Sequence, residues 1–233
     1  MKSPGITPGR RAFLRGVAAA APAAAVASVG VLAPVIKAAG ASATASSQPV
    51  YFNEAEWTTL CALTDRLIPA DALGPGALEA GVPGFIDKQM MLPYGFGKLW
   101  YMHGPFVADA PPQMGYQLPY GPRDLYRKGL QGLDVAVMQA HGKPFAQLDN
   151  ATKDRVLTSL EHGQLPMGEI PGPVFFDQLL KNTREGYFSD PVHGGNKDMG
   201  AWKMINFPGA RADYMDAVEQ YGKPYRLPPV SIG

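Results

Sequence analysis

The densest group of chemistry-bearing side chains is the nine-residue stretch Asp190–Asp198, which reads Asp-Pro-Val-His-Gly-Gly-Asn-Lys-Asp. Its carboxylates, amide and imidazole could hold a metal ion, and His193 with Asp190 could transfer a proton. The spacing is not that of a calcium loop, however, and Asp or Asn beside Gly-Gly usually accepts backbone N–H groups in tight turns. A structural turn is therefore the favoured interpretation, and an independent enzyme or ligand-binding protein that uses this loop is the alternative.

The other motifs of redox, hydrolytic and zinc chemistry are missing from the sequence. Residues 74–79 begin like a dinucleotide loop, but they contain Pro75, end in Glu79 and follow no predicted strand, so we predict a turn. A single cysteine cannot attach haem or ligate an iron–sulfur cluster. Four histidines are isolated, and His141 and His162 each precede a helix-ending glycine, where a cation is favourable. We assign no catalytic, cofactor-binding or metal-ligating residue to this chain.

The N-terminus reads as an address for export. Arg10-Arg11-Ala12-Phe13-Leu14-Arg15 precedes an acid-free, alanine-rich run over 16–36, and Ala41-Ser42-Ala43 offers a cleavage site. This order is typical of a twin-arginine signal. A membrane anchor is less favoured because the run has one Leu, one Ile and two prolines. We therefore predict a signal peptide over 1–43, a linker over 44–50 and a domain over 51–233, in the periplasm.

Charge and cysteine content narrow the class of protein further. The 190 residues after position 43 carry 16 basic and 20 acidic side chains, a net charge of −4, which argues against nucleic-acid binding. Cys61 is the only cysteine, so no internal disulfide can form. It could bond to a partner chain, but it lies four residues after Trp57 on an apolar stripe, which favours a buried, unreactive thiol.

Apolar periodicity and helix boundary signals predict six helices. The first is capped by Asn53 and Glu56 in a capping box and has an apolar stripe through Trp57, Leu60, Cys61, Thr64, Leu67 and Ile68. The others are predicted over 83–92, from Pro122 to Gly142, from Asp149 to Gly163, from Pro173, and from Pro208. The face of the third is expected to include Ala140, and that of the last Tyr214, Ala217, Val218 and Tyr221. No run alternates like a strand, so the predicted fold class is all-α, a single helical domain.

Two segments lack helical periodicity. Pro93–Gly121 is a 29-residue loop with seven aromatic residues among repeated Gly and Pro. Its rings must be buried, either on their own domain or on another protein, and the sequence leaves both open. The tail over 223–232 is rich in proline and is predicted to be an extended arm along a neighbouring surface.

Five blocks of the sequence resemble, in order, those of the gluconate 2-dehydrogenase subunit 3 family. The blocks are Phe52-Asn53-Glu54-Ala55-Glu56-Trp57, Leu63-Thr64-Asp65-Arg66-Leu67-Ile68-Pro69, Gly81-Val82-Pro83-Gly84-Phe85-Ile86-Asp87, Asp190-Pro191-Val192-His193-Gly194-Gly195-Asn196 and Gly200-Ala201-Trp202-Lys203-Met204-Ile205-Asn206-Phe207-Pro208-Gly209. The last two blocks are the specific ones, and together the blocks span nearly the whole chain after the signal.

The resemblance implies a small, noncatalytic subunit of a periplasmic, membrane-associated dehydrogenase of sugar acids or polyols. It places FAD in a large subunit and haem c in a cytochrome subunit, with no cofactor in the small subunit. The small subunit is expected to stabilise the large one and to carry it, already folded, through the twin-arginine translocase. The sugar substrate and the stoichiometry do not follow from this chain.

Overall fold

Six α-helices and five short 3-10 helices make up the secondary structure of residues 48–107, 110–213 and 215–233, which a computed structural model describes. The α-helices are α1 (Glu54–Leu67), α2 (Val82–Met90), α3 (Pro122–His141), α4 (Asn150–Glu161), α5 (Gly172–Phe188) and α6 (Gly200–Met204). The predicted signal peptide, with its cleavage site at 41–43, most of the predicted linker, and Tyr214 lie outside the described residues.

Helix α1 begins at the predicted capping box. The Glu56 amide donates to Oδ1 of Asn53 (2.9 Å), and the Asn53 amide donates back to Oε2 of Glu56 (3.0 Å). The buried face centres on Thr59, Leu60, Leu63 and Thr64, whereas Trp57 and Cys61 are only half-buried. The buried stripe is thus rotated from the predicted one, because α1 contacts both α3 and α5 and its residues Leu60 and Leu63 are fully buried.

The long helices α3 and α5 approach closely at a glycine. A Cβ on Gly129 would overlap the ring of Phe175, so only glycine allows this separation of the two backbones. The predicted inward face of α3 is confirmed at Leu125, Leu130, Leu133 and Val137, but Ala140 is exposed because the helix runs past the core at its last turn. Tyr126, which the periodicity omitted, is fully buried.

Helix α4 is capped as predicted, since the Thr152 amide donates to Oδ1 of Asp149 at 3.0 Å. A salt bridge links α4 to α1. Nη2 of Arg66 in α1 lies 2.9 Å from each carboxylate oxygen of Asp154 in α4. Such planar pairs add orientation as well as energy.

The predicted last helix is wrong. Pro208 and Gly209 open no α-helix, and over the described residues of this stretch only the 3-10 turn Met215–Ala217 forms. The backbone at 208–210 instead pairs with Val230, whose amide donates to the Pro208 carbonyl (3.2 Å) and whose carbonyl accepts from Ala210 (2.8 Å). The periodic apolar residues there, Val218 and Tyr221, are exposed and form no buried helix face.

The all-α prediction is confirmed. The part of the chain that the structure describes holds no strand, and its one β contact is the isolated parallel bridge between Gly209 and Val230. None of the described helices is both long enough and apolar enough to cross a membrane.

Candidate docking surface

The long loop leaves α2 through a tight contact. Gly95 lies so close to the Met90 carbonyl that a Cβ would overlap it, and its own carbonyl accepts from the Arg123 amide at 3.0 Å. The two ends of the loop are therefore held together where α2 ends and α3 begins. A loop with fastened ends can hold a fixed shape without secondary structure of its own.

A buried polar network fastens the loop to the middle of α5. The Tyr94 hydroxyl accepts from Nδ2 of Asn182 (2.8 Å) and from Nε2 of Gln178 (2.7 Å). Oδ1 of Asn182 also accepts from the Tyr126 hydroxyl at 3.1 Å, and the Asn182 side chain is 1% exposed. Burial raises the pKa of Tyr94, an effect that the hydrogen bonds from Asn182 and Gln178 oppose only in part. The Tyr94 phenol therefore stays neutral, and its hydrogen bonds fix the start of the loop to α5.

Aromatic contacts continue from Tyr94 along the loop. Trp100 meets Tyr94 edge to face with ring centroids 6.1 Å apart, and it meets Tyr116 in the same way at 4.9 Å. The Tyr116 hydroxyl donates to the Tyr120 carbonyl at 2.6 Å, and the Tyr120 hydroxyl donates to Glu169 at 2.8 Å. Burial raises the pKa of Tyr116. Tyr94, Trp100 and Tyr116 thus form a linked set of rings, and Tyr94 and Tyr120 pack against the hydrophobic core of the domain.

Other large apolar side chains of the same loop point outward. Phe96 is 55% exposed, Leu99 71% and Tyr101 84%. We give the name loop patch to these exposed side chains together with two that immediately precede the loop, so its members are Met91, Leu92, Phe96, Leu99, Tyr101, Val107 and Met114. The loop therefore buries some rings on its own domain, the first of the two possibilities, and exposes others, for which burial on another protein stays a prediction. Clusters of exposed apolar side chains on an ordered backbone mark interaction sites.

Arginine side chains stack beside the patch. Cζ of Arg123 lies 4.3 Å from the Phe96 ring centroid and 4.6 Å from that of Tyr51, so the guanidinium sits between two rings. Cζ of Arg127 lies 4.6 Å from the Tyr51 centroid as well. The backbone amides of residues 50–52 all donate to the buried carboxylate of Asp87 at 2.7–3.1 Å. Residues 50–52 are thereby fixed, with Tyr51 and Phe96 both in contact with the Arg123 guanidinium.

The C-terminal arm, residues 205–233, carries a second set of exposed apolar side chains, among them Met215, Tyr221 and Ile232. The predicted extended conformation is confirmed over 223–232, where no helix forms. The arm lies against its own domain at its far end, where Oδ1 of Asp190 accepts from the Ser231 hydroxyl (2.5 Å) and Oδ2 from the Ile232 amide (2.9 Å). The Arg211 guanidinium also donates to the Pro228 carbonyl at 2.8 Å.

The Asp190–Asp198 loop is a structural joint between α5 and α6. Asp190 accepts the Val192 amide (3.1 Å), and the fully buried Asn196 accepts the Ala201 amide (3.0 Å) and donates to the Ser189 carbonyl (3.0 Å). A Cβ on Gly195 would overlap the Gly186 carbonyl oxygen. The turn interpretation is therefore confirmed, since Asn196 bonds to backbone groups and Asp190 accepts from backbone amides and from the Ser231 hydroxyl.

Two of the four histidines occupy helix ends. Nδ1 of His162 lies 2.8 Å from the Thr158 carbonyl at the end of α4, and His141 is the last residue of α3, so both occupy the predicted helix ends. Within the described residues, no three His, Cys, Asp or Glu side chains are close enough together to hold a metal ion.

The thiol of Cys61 is half-buried, and burial, with a smaller contribution from Asp65, raises its pKa to about 11. A thiol with such a pKa is protonated at neutral pH and reacts slowly. This environment favours the unreactive thiol over a bond to a partner chain.

Fold and surface together define an all-α domain with a long aromatic loop that exposes several large apolar side chains. The chain belongs to the gluconate 2-dehydrogenase subunit 3 family, because the sequence model of that family matches residues 54–209. The family resemblance seen in the sequence is thus confirmed, and it makes the chain a subunit of a dehydrogenase complex. Searches of curated proteins and of solved structures found no significant match.

Sequence reasoning missed the residues that shape the docking surface. Tyr51, Arg123 and Arg127 belong to no motif, and their stacking joins segments more than 70 positions apart in the chain. The local signal that could have pointed to them is the scarcity of charge over 88–123, where Lys88, Lys98 and Arg123 are joined by a single acid, Asp109. Interface cores are similarly depleted of charge and enriched in aromatic residues and arginine.

Proposed function

We propose that this chain is the noncatalytic small subunit of a periplasmic, membrane-associated FAD-dependent dehydrogenase of the gluconate 2-dehydrogenase type. It binds and stabilises the FAD-containing large subunit and directs the export of that subunit by the twin-arginine route. A cytochrome subunit with haem c takes the electrons, and this chain contributes neither a cofactor nor a reacting group.

The observation that carries the proposal is the loop patch. Its apolar side chains stand on a loop that Tyr94, Trp100 and Tyr116 hold against the domain. A partner that covers Phe96, Leu99 and Tyr101 gains apolar burial without first having to order the loop, which lowers the entropy cost of binding. A surface that is ordered before binding is suited to a permanent partner subunit.

The C-terminal arm offers a second contact for the same partner. Met215, 78% exposed, and Tyr221, 87% exposed, stand on a segment that is fastened at both ends by Val230 and Asp190. Exposed apolar groups on a fixed backbone are again the property that a subunit interface needs. The loop that carries the patch is attached to α5 at Asn182, through Tyr94, and the arm is attached at Asp190, two residues past the end of α5.

The sequence combines a twin-arginine address with a chain to which we assign no cofactor site. This combination supports export together with the large subunit. The joint replacement of Arg10 and Arg11 by Lys tests this part. We expect the large subunit and its activity to stay in the cytoplasm when it is co-expressed with this variant, and to reach the periplasm with the unaltered chain. Normal periplasmic activity with the Lys-Lys variant would contradict the export role.

A further inference from the structure

The loop patch lies on a locally basic stretch of an acidic domain sequence. From Lys88 to Arg123 the sequence holds three bases and one acid, Asp109, while the 190 residues after position 43 carry a net charge of −4. The net charge of this stretch is thus opposite to that of the sequence after position 43.

The bases stand at the edge of the exposed rings. Arg123 is stacked on Phe96, and Nζ of Lys98 lies 5.9 Å from the same ring centroid. Among the described residues, neither Arg123 nor Lys98 has a carboxylate within ion-pairing distance, whereas Arg127 is paired with Glu56 at 3.2 Å. Two positive charges with no ion-pair partner among the described side chains therefore flank Phe96.

The position of the Arg123 side chain is fixed by one hydrogen bond and two aromatic rings. Its guanidinium donates to the Met90 carbonyl at 3.1 Å and lies between the rings of Tyr51 and Phe96. A fixed guanidinium has its remaining N–H donors aimed in set directions, and such a fork matches a carboxylate that is also fixed.

We propose that the loop patch recognises a surface of the large subunit that is apolar at its centre and carries carboxylates at its edge, with Phe96 as the apolar anchor and Lys98 and Arg123 as the charges that select it. This inference rests on the proposed function and adds the chemistry of the partner surface. Opposite charges around an apolar centre raise the association rate and disfavour wrong partners.

A membrane surface is the other class of target for exposed apolar side chains beside bases. Recognition of anionic lipids by charge uses clusters of about four to eight Lys or Arg. The patch has two bases, Lys98 and Arg123, and Arg123 is held by the Met90 carbonyl and by ring stacking, so a protein surface is the better fit.

The test measures binding of the full chain to the purified FAD-containing large subunit at low and high salt. Lys98→Glu should lower the association rate about tenfold at low salt, with the difference shrinking at high salt. Phe96→Ala should raise the dissociation constant at least about tenfold at either salt concentration. Lys143→Glu is the matched control, because this exposed lysine follows the far end of α3, about 30 Å from Arg123.

The inference is overturned if the unaltered chain binds the large subunit and Lys98→Glu weakens binding no more than Lys143→Glu does. It is also overturned if the chain binds vesicles of phosphatidylglycerol and phosphatidylethanolamine through Lys98 while its affinity for the large subunit is insensitive to that residue. Failure of the unaltered chain to bind the large subunit at all removes the proposed function itself, so the two failures are distinguishable.

Discussion

The hydroxyl oxygen of Tyr94 lies 2.8 Å from Nδ2 of Asn182, and through this contact the long aromatic loop is fastened to the buried side of α5. Tyr94 is one residue past the start of the loop, and Asn182 is at the middle of its helix. The contact therefore couples the order of the docking surface to the integrity of the core.

Asn182→Ala should lower the free energy of unfolding by about 1–3 kcal/mol, because the buried hydroxyl of Tyr126 loses its acceptor and that of Tyr94 a donor. We expect the loop to loosen with it, seen as a change in Trp100 fluorescence. Chemical denaturation measures the first effect. Asn150→Ala, at the exposed start of α4, is the matched control and should cost less than about 0.5 kcal/mol. Equal stability of the two variants would contradict this role for the network.

Gly195→Ala should destabilise the fold by about 1–3 kcal/mol, because the added methyl group overlaps the Gly186 carbonyl at the end of α5. Thermal unfolding followed by circular dichroism measures the loss. Gly84→Ala is the control, since a Cβ there meets no atom within 4 Å and alanine favours the helix. A stable Gly195→Ala variant would mean that the turn is not packed as described.

The sequence is most informative where local chemistry decides the structure. The capping box of Asn53 and Glu56, the cap at Asp149 and the turn at Asp190 each depend on neighbours within three residues, and all three form. The predicted helix after Pro208 fails for the complementary reason. Its periodicity was genuine, but pairing of the 208–210 backbone with Val230, some 20 residues later, replaced the helix.

The docking surface was only half predictable. The sequence showed that the rings of Pro93–Gly121 must be buried somewhere, but which ones turn inward depends on Gln178 and Asn182 of α5. The stack of Arg123 between Tyr51 and Phe96 brings together three separate segments, and no local pattern encodes such a contact. The same holds for the capture of Ile232 by Asp190.

Cys61 should react slowly with thiol reagents in the folded protein. Its pKa of about 11 leaves almost no thiolate at neutral pH, and the reaction should accelerate as the pH rises toward that value. Alkylation rates in native and denaturing buffer measure the difference. Fast alkylation of the native chain, or a mixed disulfide with a partner subunit on a non-reducing gel, would contradict the unreactive thiol.

The attachment of the arm should weaken in acid. Burial raises the pKa of Asp190, but the hydrogen bonds from Ser231, Val192 and Ile232 and the charge of His193 outweigh it, so the net shift is downward. A depressed pKa in the folded state means that the stabilisation is complete above the unfolded value, about 3.9, and is lost as the pH falls below it.

The amide resonances of Val192 and Ile232, followed by NMR from neutral to acidic pH, measure this titration. We expect both to shift together with a midpoint below about 3.9, and Asp190→Asn to abolish the shift at both positions. A midpoint above that value, or an unchanged titration in the Asn variant, would show that Asp190 does not hold the arm.

The central claim is that this subunit supports a flavin-dependent partner and catalyses nothing itself. Its most direct test is purification through a tag on this chain, with an absorption spectrum and a sugar-oxidation assay of every polypeptide that comes with it. We predict that flavin and dehydrogenase activity reside on a larger co-purified chain and that this chain, once separated, is colourless and inactive. Recovery of this chain alone, with its own bound flavin or haem and its own turnover, would contradict the account.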